Sequence, residues 1–272
     1  FAKIQRKSSG LMFFIAKEMI AGFRHLFPHG RFRWVLVALS LVAAAISVSE
    51  LLVMKFFATL VLHEGDFDRS LLFWAIIGFF LFFLLTRVGQ FFQRNYRVKA
   101  LTKAFRASTK ERTTSQENRE WAMAMELTNV FSQGTQLIAI LFFFLLLNPL
   151  IAALNVVIVF MIFQAVGAIF KKQLRFHAEL NAPEPGKKVK PHQRHGARIK
   201  AAETGALISG AGMLVLLAAL LYLSIDGEIT PANTLVIFLG ARLQNSVFNN
   251  SSQSLMRYAR NNSRVVADND EQ

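Results

Sequence analysis

Six stretches of this chain are as long as a bilayer is thick and are built mainly from apolar residues. They lie at about 34–62, 71–92, 130–147, 150–170, 202–224 and 231–254. Phe, Leu, Val, Ile and Ala fall there in continuous blocks, not at helical or strand period. About 20 apolar residues, each rising ~1.5 Å in a helix, cross a hydrocarbon core of roughly 30 Å. Backbone groups in that core find no water, so they must bond within their own segment, as an α-helix does. A soluble fold of 272 residues would have to hide all of these blocks in one core, which surface-to-volume scaling disfavours. Charged residues make up 18% and Phe alone contributes 27 positions, against roughly 25% charged in soluble domains. The expected fold is an all-α membrane protein with six transmembrane helices.

The sign of the loops orients the spans. The net charge is +14. Loops after spans one, three and five hold a single Lys or Arg between them, Arg69. Loops after spans two and four, and both ends of the chain, hold most of the rest. The positive-inside rule then places both termini in the cytoplasm, as in a multi-pass protein of a bacterial inner membrane. This distribution accounts for the charge without a nucleic-acid partner. The chain has no Cys, which excludes disulfides, thiol nucleophiles and Cys-based zinc sites. The first ten residues are basic and lead into no cleavable signal pattern.

Residues 1–33 form an N-terminal segment with an interfacial helix over 11–30. Phe13, Phe14, Ile15, Met19 and Phe23 give it an apolar surface, and Lys17, Glu18, Arg24 and His25 interrupt it too often for a span. Pro28 and Gly30 break it. The second span is expected to continue out of the membrane through the basic stretch around Arg97 and Lys103. Asn148-Pro149 reads as a tight turn between antiparallel spans three and four. The stretch 181–198 reads as a polar loop. Thr230 is a candidate N-cap with Pro231 in the first helical turn. Gly205, Gly210 and Gly212 read as helix-packing positions in span five, because small residues let membrane helices approach closely.

This order of parts resembles the six-helix transmembrane domain of type I (type IV fold) ABC exporters. The run Leu146-Leu147-Asn148-Pro149-Leu150-Ile151-Ala152-Ala153-Leu154 resembles that family's outer turn between helices three and four. Asp226-Gly227-Glu228-Ile229-Thr230-Pro231-Ala232 resembles its fifth-to-sixth turn, and Arg257 to Ala267 the end of its sixth helix. The resemblance implies an elbow helix, a dimer of membrane domains and a substrate cavity near the midplane. Two departures stand against it. The chain has no G-x-x-x-x-G-K-[ST] loop, so ATP hydrolysis would come from a separate or removed domain. Its cytoplasmic arms also look shorter than the family's.

Charged and amide residues inside spans are functional candidates, because hydrocarbon penalises them. Glu50 lies ~18 Å from the outer end of span one at helical rise. Arg242 lies at a similar depth in span six. They read either as a substrate or proton site, or as a structural clamp between the two helices. Gln244, Asn245, Asn249 and Asn250 make the lower half of span six polar, which suits a wet cavity face. Lys55 reads as a snorkelling side chain, and Arg87 and Gln90 as interfacial anchors. His177, His192 and His195 lack a carboxylate or thiolate to complete a metal set. No catalytic constellation or cofactor motif is present, so the chain is not expected to be an enzyme.

Three functions are consistent with these residues. The first is the membrane-spanning subunit of an ABC-type exporter, acting as a homodimer or heterodimer with an ATPase subunit. The second is an ATPase-less accessory or scaffold subunit of a larger membrane complex. The third is a proton-driven transporter with Glu50 as carrier.

Overall fold

The computed structural model describes residues 10–27, 31–62, 69–106, 113–181 and 191–270. Seven helices account for them: α1 (Leu11–Leu26), α2 (Arg31–Val61), α3 (Arg69–Arg106), α4 (Thr114–Leu147), α5 (Pro149–Asn181), α6 (Pro191–Ile225) and α7 (Pro231–Asp270). No strand occurs among the described residues. The helices α2 to α6 are long and apolar enough to cross a membrane, and they fit a multi-pass membrane protein. The sixth expected span, α7, is not among these five, because amides, hydroxyls and arginines fill its second half.

The helices outrun the spans read from hydropathy. α2 begins at Arg31, so 31–33 belong to it and not to the elbow segment. α4 begins at Thr114, sixteen residues before Val130. A capping box starts it: Thr113 Oγ1 accepts from the Gln116 N–H at 3.3 Å, and Gln116 Oε1 accepts from the Thr113 N–H at 3.1 Å. α3 runs on to Arg106, as its apolar stripe predicts. The expected polar loop over 181–198 is helical from Pro191 onward, where α6 starts. Hydropathy marks where a helix meets hydrocarbon, and helical hydrogen bonding continues well past that point.

The turns follow their residues. Asn148 alone separates α4 from α5. Its N–H closes α4 on Phe144 O at 2.9 Å, and its Oδ1 accepts from the Ile151 N–H at 2.9 Å to cap α5. Between α6 and α7, Gly227 takes a φ of 81°, a conformation that favours glycine. Thr230 Oγ1 then accepts from the Asn233 N–H at 3.4 Å and caps α7.

In the bundle, α7 packs against α4, α6, α5 and α2, while α2 packs against α3 and α4. Gly240 on α7 lets α2 and α4 close in: a Cβ there would meet Phe144 at 2.6 Å and Leu51 at 3.1 Å. Of the three span-five glycines, Gly205 sits against Ser252 and Gly212 against Ile158 and Ile162 at 2.9 Å. Gly210 has open space around it, so only two of the three are packing positions. α3 is the least enclosed span: Trp74, Phe80 and Phe91 are 65%, 61% and 64% exposed.

The helix α1 lies across the ends of α5, α4 and α7. Phe14 meets Phe170, Phe23 meets Phe131 edge-on at 5.4 Å, and Glu18 accepts from Asn262 Nδ2 at 3.2 Å. Ile15 and Met19 are buried there, while Phe13 and Ile20 stay exposed, which suits a helix lying at a membrane surface.

Two predictions follow from this packing. Gly240→Ala forces Phe144 and Leu51 apart and should cost about 1–3 kcal/mol, read as a lower unfolding midpoint in mild detergent. Burial pushes the Glu18 carboxyl above its ordinary 4.5, opposed by the Asn262 hydrogen bond. A raised folded-state value means the neutral acid is favoured, so stability is highest below the unfolded value and falls as pH rises through the folded one. Glu18→Gln should therefore raise the melting temperature at neutral pH, and its advantage should shrink on acidification.

Candidate functional site

The polar half of α7 divides into two faces. The inward face is enclosed by neighbouring helices, and Gln244, Asn245 and Ser252 are bonded to them. Gln244 and Asn155 exchange hydrogen bonds across α7 and α5 at 2.7 and 2.9 Å. Asn155 is fully buried and Gln244 is 5% exposed. On the α6 side, Ser209 Oγ donates to Asn245 Oδ1 at 2.6 Å, and Ser252 Oγ to Ala202 O at 3.5 Å. On the α4 side, Arg257 lies 3.5 Å from Glu126. Together these contacts tie α7 to α5, α6 and α4.

The outward face is a stripe. Arg242, Ser246, Asn250, Gln253 and Arg257 are all exposed. Their spacing of three or four residues keeps them on one side of the helix. One turn before Arg242 the same face carries Phe238, 40% exposed. The stripe thus turns from apolar to polar along α7. Its Arg242 end lies eleven residues into α7, roughly 16 Å from Pro231 at helical rise. A face with two arginines and three amide or hydroxyl side chains cannot rest against hydrocarbon. By contrast the outer face of α6 carries Leu207, Leu214 and Leu221, which are 74%, 69% and 59% exposed and suit lipid.

On the inward side of α7, a small cleft lies between α5, α6 and α7. Ile162, Met213, Leu216 and Phe248 form its apolar wall, with Ser209, Gln244 and Asn245 at its polar edge. Its cavity volume is about 10 Å³, room for roughly one water molecule. Among the described residues, the acceptors Glu126 Oε2 and Gln133 Oε1 on α4 and Asn249 Oδ1 on α7 are buried without a donor.

The six candidate residues therefore separate. Arg242 and Asn250 stand on the exposed stripe, and Asn249 is half-buried at its edge. Gln244 and Asn245 point into helix contacts. Glu50 is half-buried on α2. Glu50 and Arg242 share a depth but make no ion pair, and the cation acting on Glu50 is Arg87 of α3. Next to them, Thr86 Oγ1 donates to Ser49 Oγ at 2.9 Å and binds α3 to α2. Arg87 itself is exposed and lies over the Phe83 ring.

Asn155 was legible in the sequence as an amide inside an apolar span, and the rule used for the other candidates flags it too. The roles of Ser209 and Glu126 had no sequence signal. His177 is buried on α5, edge-on to Phe176 at 5.6 Å; the side chains of His192 and His195 lie outside the described residues. No group of three or more metal-binding side chains occurs among the described residues. The chain matches no protein-family model and no curated protein.

The amide pair makes a measurable prediction. Asn155→Leu or Gln244→Leu alone leaves the other amide buried and unpaired, which should cost about 1–3 kcal/mol. Both together should recover most of that loss. A double-mutant cycle in mild detergent reads the difference.

Proposed function

We propose that this chain is the membrane-spanning subunit of an ABC-type exporter. In this reading α7 is a sixth span, and the chain forms half of a substrate pathway with a second copy or a relative. A separate subunit or a further domain hydrolyses ATP. The stripe from Arg242 to Arg257 is the observation that carries the reading. A polar face at mid-depth needs water or a partner in front of it, and a central cavity between two such chains supplies water. The inward face of α7, tied to α4, α5 and α6 by side-chain bonds, lets the helix move as part of a rigid unit when the two halves rock.

One observation favours a second reading, an ATPase-less subunit of a larger membrane complex. The outer face of α3 presents Phe73, Trp74, Phe80, Phe83, Phe91 and Phe92, all exposed. Such a surface suits a dry contact with other membrane helices as well as lipid.

The absence of cysteine allows a clean test, because any cysteine introduced is the only one. Ser246→Cys and Asn250→Cys should react with a membrane-impermeant maleimide in the native membrane, and Leu214→Cys should not. Equal inertness at all three positions would overturn the exporter reading, since the stripe would then be sealed by a partner. The exporter reading also requires a P-loop ATPase in the intact complex, identified by mass spectrometry of the purified assembly.

A further inference from the structure

We infer that the outward side of α1, together with Lys171 of α5, binds the head groups of anionic phospholipids. The inference rests on the membrane fold and not on the exporter reading. The first ground is depth. The start of α1 is pressed against α5: a Cβ on Gly167 would meet the Leu11 carbonyl oxygen at 2.9 Å, and Lys171 Nζ lies 5.8 Å over the Phe14 ring. Gly167 and Lys171 stand eighteen and twenty-two residues after Pro149, the first residue of α5, or roughly 27 and 33 Å along it. A hydrocarbon core is roughly 30 Å thick. A span that enters the core at the Asn148 turn therefore leaves it where α1 crosses, which puts α1 at the level of the lipid head groups.

The second ground is the pattern on α1. Ile15, Met19 and Leu26 are buried against the bundle. The opposite side carries Phe13, Lys17, Ile20 and Arg24, all exposed. Their spacing of four, three and four residues keeps them on one face. The two apolar side chains reach acyl chains, while the Lys and Arg stems lie beside them and carry their charges to the phosphates. A soluble anion has no tail for Phe13 and Ile20 to meet. The third ground is charge. The acid of α1 is Glu18, and it is turned onto Asn262 at 3.2 Å. Lys17 and Arg24 make no ion pair among the described residues. Lys17 is one turn from Phe14, whose ring lies under Lys171, so the two ammonium groups flank one ring. On α5 the exposed Glu179 stands one turn beyond Arg175 and two beyond Lys171, within pairing reach of the arginine. A cluster of uncompensated basic residues at this level attracts anionic lipid.

The test titrates the purified full chain in mild detergent with phosphatidylglycerol or with phosphatidylcholine of the same acyl chains. Native mass spectrometry counts the bound lipids. Phosphatidylglycerol should bind saturably and about tenfold or more tighter than phosphatidylcholine, the sum of several basic residues. Lys17→Gln and Arg24→Gln should each weaken it about fivefold, as one basic residue at an anionic surface does. Phe13→Ser should weaken both lipids. Lys200→Gln serves as the control, because Lys200 is exposed on α6, a helix that α1 does not touch; its binding should match that of the unmodified chain. Equal affinity for the two lipids would overturn the inference. So would an equal loss in Lys200→Gln and Lys17→Gln, which would mean attraction by overall charge. Displacement of the lipid by inorganic phosphate at the same concentration would also overturn it, since the site would then hold a soluble anion.

Discussion

Hydrocarbon tolerates no polar group that lacks a partner, and the whole bundle is arranged around that constraint at α7. Five helices are apolar enough to meet lipid. The seventh carries the amides, hydroxyls and arginines, and it packs against α4, α6, α5 and α2. Side-chain bonds tie it to four neighbours: Gln244 to α5, Asn245 and Ser252 to α6, the exposed Arg257 to α4, and Asn262 to α1. Inter-helix hydrogen bonds in membranes are individually modest, about 0.6 kcal/mol on average. Their effect here is positional. They fix the rotation of α7 about its axis, and that rotation decides which residues face outward.

The outward stripe is the consequence. With Gln244 and Asn245 held inside, Arg242, Ser246, Asn250 and Gln253 must point away from the bundle. The close approach at Gly240 holds α7 against α2 and α4 just before the stripe begins. The same logic separates two kinds of exposed surface. The faces of α3 and α6 are exposed and apolar, so lipid or a dry helix contact satisfies them. The face of α7 is exposed and polar, so it needs water, ligand or a polar partner.

Local chemistry was readable in advance. The Asn148-Pro149 turn, the Thr230 cap and the continuation of α3 follow from short-range backbone rules, and the structure follows them. The errors have a common source. The apolar block that marks the third span begins at Val130, yet the capping box that starts α4 is at Thr113. The stretch from Pro191 was read as loop because it is basic, yet charge does not oppose a helix outside the membrane. Gly210 was grouped with Gly205 and Gly212 by composition, but its side of α6 meets no neighbour.

The sequence by itself determined the material class of the chain: apolar blocks of bilayer length, few charges, no cysteine, and basic residues gathered at alternate loops. Those properties are sums over local composition, so no contact is needed to read them. It also located the polar residues of α7 and matched the depth of Glu50 to that of Arg242. Only the tertiary structure decided how these residues are used. Depth along a helix follows from counting residues, but direction around the axis depends on which neighbours are packed against it. That is why Gln244 finds Asn155 eighty-nine residues away, and why Arg242 is left facing out.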